Sequence, residues 1–245
     1  MPTTALRDGY VGVLRLESPD TRNTLTPGVV EEVSRELEAF DSDPDVRCVV
    51  IAGMQEVFAS GGDQQGQGSQ ADAAWLRISG CSTPLVAGVS GYAIEAGFEL
   101  ALLCDIVVAS ETAELGLPQI MLGLVPGGGS TQRLVRAVGK HRAMELVLTG
   151  RRLDAHEAQR MGLVNMVTPK KEWLHRATEL ATFIAARPPA AVQLAKSAVL
   201  AAAELSLPEG IGEESRLGRI ARESADRAEA LAALAEKRPP KFTGR

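Results

Sequence analysis

Three segments of the chain combine small residues with polar side chains that could do acid–base chemistry. Residues 91–100 are rich in glycine and alanine and carry Glu99, residues 58–63 place two glycines before an aspartate, and residues 124–133 contain three consecutive glycines. Small residues let a backbone approach a ligand closely, and such loops can turn N–H groups towards an oxyanion. A carboxylate beside them could move a proton while the N–H groups stabilise an enolate.

These segments resemble the crotonase family, also called the enoyl-CoA hydratase/isomerase family, from about Gly12 to the end of the chain. The resemblance implies that Glu99 is an acid/base residue and that the backbone N–H groups of Ser60 and Ala96 hold the thioester oxygen. It also implies that Gly127 borders the reacting carbons. The implied ligand is an acyl-CoA, so coenzyme A enters as part of the thioester substrate and no separate cofactor is expected.

The resemblance implies further substrate contacts and an oligomer. Basic residues near the C-terminus would help to hold the phosphates of coenzyme A, because a cation suits that anion. The C-terminal helices would pack on a neighbouring subunit, giving a homotrimer or a dimer of trimers. The substrate-binding residues carried over in this way are Arg22, Leu25, Ala59, Asp63, Lys237 and Lys241.

Gln119 departs from the family pattern, which has a second glutamate in a Pro-Glu-Ile run at this position. A neutral amide can orient water by hydrogen bonds but cannot donate a proton as an acid. Losing a positioned acid costs about 10²- to 10⁴-fold in rate. Glu95 stands where the family has glycine, and we interpret it as an exposed glutamate before a helix. The alternative is a carboxylate whose titration is coupled to that of Glu99.

The favoured function is therefore reversible hydration of a 2-enoyl-CoA through a stabilised enolate, which makes the protein a lyase with an atypical site. Isomerisation of a double bond or hydrolysis of the thioester would need Glu99 alone and remains open. A third possibility is an acyl-CoA-binding protein without catalysis, because a fold does not establish an activity.

Composition limits the other classes of protein. The chain has 245 residues, of which 45% are hydrophobic, and this suits one sizeable domain. Its net charge of −5 argues against a nucleic-acid partner. The cysteines and histidines lack metal-binding spacing, so no metal is expected. Residues 1–12 lack the apolar run of a secretory signal, and no apolar run reaches the length of a membrane span, so we expect a cytoplasmic protein without a membrane partner.

The elements that must position these residues follow from apolar patterns. Short apolar runs predict buried strands at 11–16, 48–52, 85–89 and 106–109, and Thr26-Pro27 predicts the start of a helix that ends within 41–44. Residues 64–70, rich in Gln and Gly, predict a mobile loop. Further helices are predicted at 96–104, 130–138, 140–148, 154–161, 170–186, 190–205 and 213–235.

The alternation of strands and helices predicts an α/β fold, and the resemblance implies a crotonase-like ββα spiral core with a helical C-terminal region. We divide the chain into a catalytic core, residues 1–190, and a C-terminal helical oligomerisation region, residues 191–245.

Overall fold

The computed structural model describes residues 3–61 and 69–244, and it describes side chains in the second segment from residue 72 onwards. Within these ranges the chain forms ten strands and ten α-helices. The strands are β1 (Thr3–Asp8), β2 (Val11–Leu16), β3 (Cys48–Ala52), β4 (Val57–Ala59), β5 (Leu85–Val89), β6 (Tyr92–Ile94), β7 (Ile106–Ser110), β8 (Glu114–Gly116), β9 (Arg152–Asp154) and β10 (Met166–Thr168). The helices are α1 (Pro27–Ser42), α2 (Ser69–Ser79), α3 (Ala96–Leu103), α4 (Ser130–Val138), α5 (Lys140–Thr149), α6 (Ala155–Arg160), α7 (Trp173–Ala185), α8 (Pro189–Ala201), α9 (Leu207–Glu223) and α10 (Ala225–Glu236).

Successive strands alternate between two sheets. The larger sheet has the order β1-β2-β3-β5-β7-β10 and is parallel apart from the β1–β2 pair. The smaller sheet has the order β4-β6-β8-β9 and is parallel apart from the β8–β9 pair. Each unit of two strands and a helix therefore adds one strand to each sheet, as in β3-β4-α2 and β5-β6-α3. This arrangement confirms the predicted α/β class and the ββα spiral core.

The longer elements form where their local sequence predicts them. All residues of β3 and β5 are buried, as expected for strands covered on both faces. In α1 the Thr26 hydroxyl accepts a hydrogen bond from the Val29 N–H, and Pro27 occupies the first turn. Its buried face carries Val30 and Leu37 into the main core.

Two predictions about elements were wrong, and several strands were missed. Residues 213–235 were predicted as one helix, but Ser224 is extended, with ψ of 147°, and caps α10 by accepting from the Arg227 N–H. Residues 69 and 70, predicted to lie in a loop, begin α2, while residues 64–68 of that loop lie outside the described residues. Six strands were missed: the mostly exposed β1, and β4, β6, β8, β9 and β10, which have only three residues each. So few residues carry no usable periodicity.

The C-terminal helices are attached to the core by a partly buried ion pair. Lys196 Nζ, on α8, lies 2.8 Å from a carboxylate oxygen of Asp105. It also donates to the Thr83 carbonyl at 3.0 Å. The boundary drawn between residues 190 and 191 falls inside the first turn of α8. The division into a catalytic and an oligomerisation region stays a prediction.

Candidate active site

The polar residues of the candidate site come soon after three neighbouring parallel strands of the smaller sheet. Ser60 follows β4, Glu95 follows β6, and Gln119 comes three residues after the end of β8. Because β4 and β8 both pair with β6 in parallel, the carboxyl ends of all three strands lie at one edge of the sheet. Ligands of α/β proteins bind at such an edge. The fold therefore gathers residues that are far apart in sequence.

Close backbone packing brings the start of α3 against the end of β4. A Cβ built on Gly97 would lie 2.0 Å from the Ala59 carbonyl oxygen, so only glycine fits at this position. Ala59 is fully buried. The described part of the 58–63 loop, which carries the predicted oxyanion donor Ser60, is thus in direct contact with the first turn of α3.

Glu99 projects from the first turn of α3 into a fully buried position, with 0% of its surface exposed. Its Oε1 accepts hydrogen bonds from the Gly127 N–H at 2.9 Å and from Gln119 Nε2 at 3.0 Å. A Cβ built on Gly128 would lie 2.8 Å from Glu99 Oε2. The structure thus brings Glu99, Gln119 and Gly127 into direct contact, while their catalytic roles stay predictions.

Burial is the largest influence on the protonation of Glu99 and raises its pKa from 4.5 to about 7. The hydrogen bond from Gly127 lowers the pKa, the charge of Glu95 raises it, and the hydrogen bond from Gln119 and the charge of Arg133 lower it. A pKa near neutrality suits a group that both takes and gives a proton. Glu99 therefore has the proton affinity of a general acid/base residue.

Two buried oxygens face no hydrogen-bond donor within the described part of the chain: Glu99 Oε2 and Gln119 Oε1. Gln119 itself is 8% exposed and is oriented by its Nε2 contact with Glu99. Buried acceptors of this kind bind water or a polar ligand, because leaving them unpaired is costly. A water molecule has two O–H donors and suits such a pair of acceptors.

The two predicted oxyanion donors differ in their surroundings. Ala96 is the first residue of α3, where a backbone N–H has no acceptor within its own helix. The Ser60 N–H instead donates to the Asn23 carbonyl at 3.3 Å, and the Ser60 carbonyl accepts from the Leu25 N–H. Ser60 can serve as an oxyanion donor only if its bond to Asn23 opens. Its role stays a prediction, and this geometry does not favour it.

Arg22 and Leu25 lie beside the predicted oxyanion loop. The Arg22 carbonyl accepts from the Ser60 hydroxyl at 2.9 Å, and Leu25 is 2% exposed. Between them, the buried Asn23 side chain donates to the Leu16 carbonyl at 2.8 Å and the Phe58 carbonyl at 3.0 Å. Asn23 therefore ties the 18–25 segment to β2 and β4 and positions the loop.

Glu95 is half-buried, so its interpretation as an exposed glutamate was wrong. A Cβ built on Gly61 would lie 1.6 Å from Glu95 Oε2, which places the Glu95 carboxylate directly against the predicted oxyanion loop. Burial raises the pKa of Glu95. The coupling to Glu99 that the sequence left as an alternative agrees with this position.

The remaining predicted contacts lie elsewhere or outside the described residues. Lys237 caps the end of α10 in a left-handed conformation, and the Lys241 N–H donates to a Glu229 carboxylate oxygen at 2.7 Å. Both lysines are exposed on the C-terminal segment, and the structure does not bring them into contact with Glu99. Asp63 lies outside the described residues. The coenzyme A contacts of these residues stay predictions.

The sequence did not single out two residues that shape the site. Trp75, on α2, is 4% exposed, and its ring lies 3.3 Å from a Cβ built on Gly128. Arg133, on α4, donates to the Gly128 carbonyl at 2.6 Å. Both therefore support the glycine loop that covers Glu99. The large apolar side chain of Trp75 was the available signal for the first, and the second had none.

The described residues contain no group of three or more His, Cys, Asp or Glu side chains arranged to hold a metal ion. Their helices also include none that combines the length and the apolar character needed to cross a membrane.

Comparison with known proteins agrees with this geometry. The profile of the enoyl-CoA hydratase/isomerase family matches residues 7–245. A probable enoyl-CoA hydratase of Mycobacterium bovis is 42% identical over 98% of this chain and 96% of its own length. A 2,3-dehydroadipyl-CoA hydratase of Escherichia coli is 40% identical over 98% of this chain and 97% of its own length.

Solved structures extend the match to the whole fold. An enoyl-CoA hydratase subunit from Geobacillus kaustophilus superposes with a TM-score of 0.95 at 38% identity, covering 100% of this chain and 99% of the other. An enoyl-CoA hydratase from Bacillus anthracis has a TM-score of 0.94 at 31% identity, with both chains fully covered. The chain belongs to the enoyl-CoA hydratase/isomerase family.

Proposed function

We propose that this protein catalyses the reversible hydration of a 2-enoyl-CoA. The observation that carries the proposal is the buried pair of acceptors, Glu99 Oε2 and Gln119 Oε1, beside a carboxylate with a pKa of about 7. The pair suits a water molecule, and the carboxylate suits the removal of a proton from it. Relatives named as hydratases, including one for 2,3-dehydroadipyl-CoA, support the same reaction.

In this mechanism Glu99 acts as the base and Gln119 as a positioning residue. Water donates one hydrogen bond to Glu99 Oε2 and the other to Gln119 Oε1, which leaves its lone pairs free to attack the β carbon. Glu99 Oε1 stays bonded to Gln119 and Gly127, so the attacking geometry is set before the substrate arrives. Gln119 cannot supply the proton for the α carbon because it is an amide.

Negative charge develops on the thioester oxygen as water adds. The Ala96 N–H, at the first position of α3, is the donor we assign to this oxygen, and a second donor comes from the loop that follows β4. The structure describes Ser60 and Gly61 of that loop, and the Ser60 N–H is bonded to the Asn23 carbonyl. Preorganised donors of this kind contribute about 10²- to 10³-fold each.

A homotrimer or a dimer of trimers belongs to the proposal. Its support is a set of large apolar side chains, each at least 40% exposed, on α8 to α10 and the segment between α8 and α9: Val199, Leu200, Leu205, Leu207, Ile211, Ile220, Leu231 and Leu234. A surface of this kind usually marks an interface. In the assembly, Lys237 and Lys241 would bind coenzyme A phosphates at a subunit boundary.

A cytoplasmic location also belongs to the proposal. All three cysteines are free, which suits a reducing compartment.

The test is a panel of 2-enoyl-CoA thioesters of different acyl length, incubated with the protein and analysed by mass spectrometry. Hydration adds the mass of one water, whereas isomerisation leaves the mass unchanged and hydrolysis releases free coenzyme A. Tight binding of several thioesters without formation of any product would contradict the proposal and support an acyl-CoA-binding protein. Glu99→Gln is the inactive variant in this panel.

Glu114→Gln is the matched control for that variant. Glu114 lies on β8 of the same sheet, and its carboxylate pairs only with the exposed Arg152 at 3.2 Å among its described contacts. Such surface pairs contribute little to stability. We expect this variant to hydrate the same substrates at the rate of the unmodified protein.

A further inference from the structure

The proposed hydration needs an acid that donates a proton to the α carbon, and Gln119 is unable to be that acid. Glu95 is the other carboxylate at the same edge of the smaller sheet. It follows β6, the strand that lies between β4 and β8, so it stands between the loop that carries Ser60 and the segment that carries Gln119. The topology alone therefore places a second carboxylate at the centre of the site.

The backbone of Glu95 adopts a conformation that a glutamate rarely takes. Its φ of 55° and ψ of −122° lie outside the small left-handed region that L-residues tolerate. The conformation is held by two backbone hydrogen bonds, from the Glu95 N–H to the Gly116 carbonyl and from the Glu99 N–H to the Glu95 carbonyl, both at 2.9 Å. Strain of this kind persists where the surrounding structure enforces it, and it clusters at functional sites.

The side chain of Glu95 points to the place where the thioester is expected. Its Oε2 occupies the space beside Gly61 that a Cβ would fill, so glycine at residue 61 leaves room for the carboxylate. The α carbon of a thioester is one bond from the carbonyl carbon, and the carbonyl oxygen would bind at this loop. A carboxylate beside the loop is therefore close to the atom that must receive the proton.

We propose that Glu95 is the second catalytic carboxylate, which exchanges a proton with the α carbon while Glu99 exchanges one with water. This inference rests on the proposed function. In hydration, Glu99 takes a proton from water as the water oxygen bonds to the β carbon, and the π electrons of the double bond move to the thioester oxygen. The carbonyl then re-forms as the α carbon takes the proton of the Glu95 carboxyl group.

The net result is the addition of one water molecule and the movement of one proton from Glu95 to Glu99. Return of that proton to Glu95 resets the site, and the reverse sequence dehydrates a 3-hydroxyacyl-CoA. Burial raises the pKa of both carboxyl groups, and the charge of Glu95 further raises that of Glu99, so the two groups are electrostatically coupled. Two coupled carboxyl groups can hold one proton between them.

The main test compares hydration of crotonyl-CoA by Glu95→Gln, Gln119→Glu and the double variant. We expect Glu95→Gln to lower kcat at least about a hundredfold, because a positioned acid is lost. Gln119→Glu alone should raise kcat less than about threefold, since an acid is already present. In the double variant, the same substitution should raise kcat at least about tenfold above that of Glu95→Gln. Glu114→Gln is the control with unchanged activity.

Glu95→Gly separates catalysis from structure. Glycine adopts positive φ without strain, so this variant should unfold at a higher temperature than the unmodified protein while losing activity as Glu95→Gln does. If Glu95 served only the structure, Glu95→Gly would lower stability and activity together, and that result would overturn the proposal.

A partial reaction tests the assigned atom. Butyryl-CoA lacks the double bond, so exchange of its α protons in D₂O needs a group at the α carbon and no attacking water. Exchange should be lost in Glu95→Gln and retained in Glu99→Gln. Exchange lost only in Glu99→Gln, wild-type kcat in Glu95→Gln, or a tenfold gain from Gln119→Glu alone would each overturn the proposal. If the unmodified protein hydrates none of the thioesters, the proposed function fails instead.

Discussion

Glu99→Gln should make the protein more stable and less active at the same time. The substitution keeps the shape of the side chain, and its oxygen can still accept the hydrogen bonds from Gly127 and Gln119. It removes a carboxylate that is fully buried. Turnover should fall at least about a hundredfold because the base is lost.

The size of the gain in stability follows from the pKa of Glu99. The pKa rises from 4.5 to about 7 on folding, so the folded protein binds this proton more tightly than the unfolded chain does. The resulting stabilisation is complete below pH 4.5 and is lost as the pH rises through about 7. At about 1.4 kcal/mol per pH unit, the loss approaches about 3 kcal/mol at pH 8. A glutamine at this position does not ionise, so the variant loses no stability in this way as the pH rises.

The assay is thermal unfolding of both proteins at pH 5 and pH 8, at equal protein concentration. The variant should match the unmodified protein within about 1 kcal/mol at pH 5 and exceed it by about 3 kcal/mol at pH 8, which is about 6–12 °C in Tm for a chain of this size. Glu114→Gln should show no such dependence on pH. An equal difference in Tm at both pH values would refute the conclusion that burial disfavours the Glu99 carboxylate, and unchanged turnover would refute its role as the base.

Three further results are expected. The kcat/KM for hydration should rise with pH through an apparent pKa of about 7, because Glu99 must be ionised to take a proton from water, and should fall again at higher pH, where the Glu95–Glu99 pair loses its remaining proton; a flat profile from pH 5 to 8 would contradict this. Gly97→Ala should cost at least about 2 kcal/mol of unfolding free energy, since the methyl group would overlap the Ala59 carbonyl, and an unchanged denaturant midpoint would count against this packing. Light scattering should give the mass of a trimer or a hexamer at micromolar concentration, and an active monomer would exclude the proposed assembly.

The sequence determines the longer elements and singles out Glu99 as the proposed acid/base residue. The buried strands at 48–52 and 85–89 and the start of α1 at Pro27 depend on local patterns and on a cap, so neighbouring residues suffice to predict them. Glu99, Gln119 and Gly127 could also be chosen before the fold was known, because the motifs around them are distinctive. Their mutual hydrogen bonds then follow from the way the family folds.

The tertiary structure alone decides what surrounds these residues. The strands β4, β6 and β8 have three residues each, and hydrogen bonds to partners distant in sequence define them. They bring Glu95 against Gly61 and leave Glu99 Oε2 facing the interior, which no local pattern encodes. The engagement of the Ser60 N–H by Asn23 likewise depends on a contact between distant segments. Burial and pairing depend on what the rest of the chain places nearby, so the protonation and strain of these residues become known only in the folded molecule.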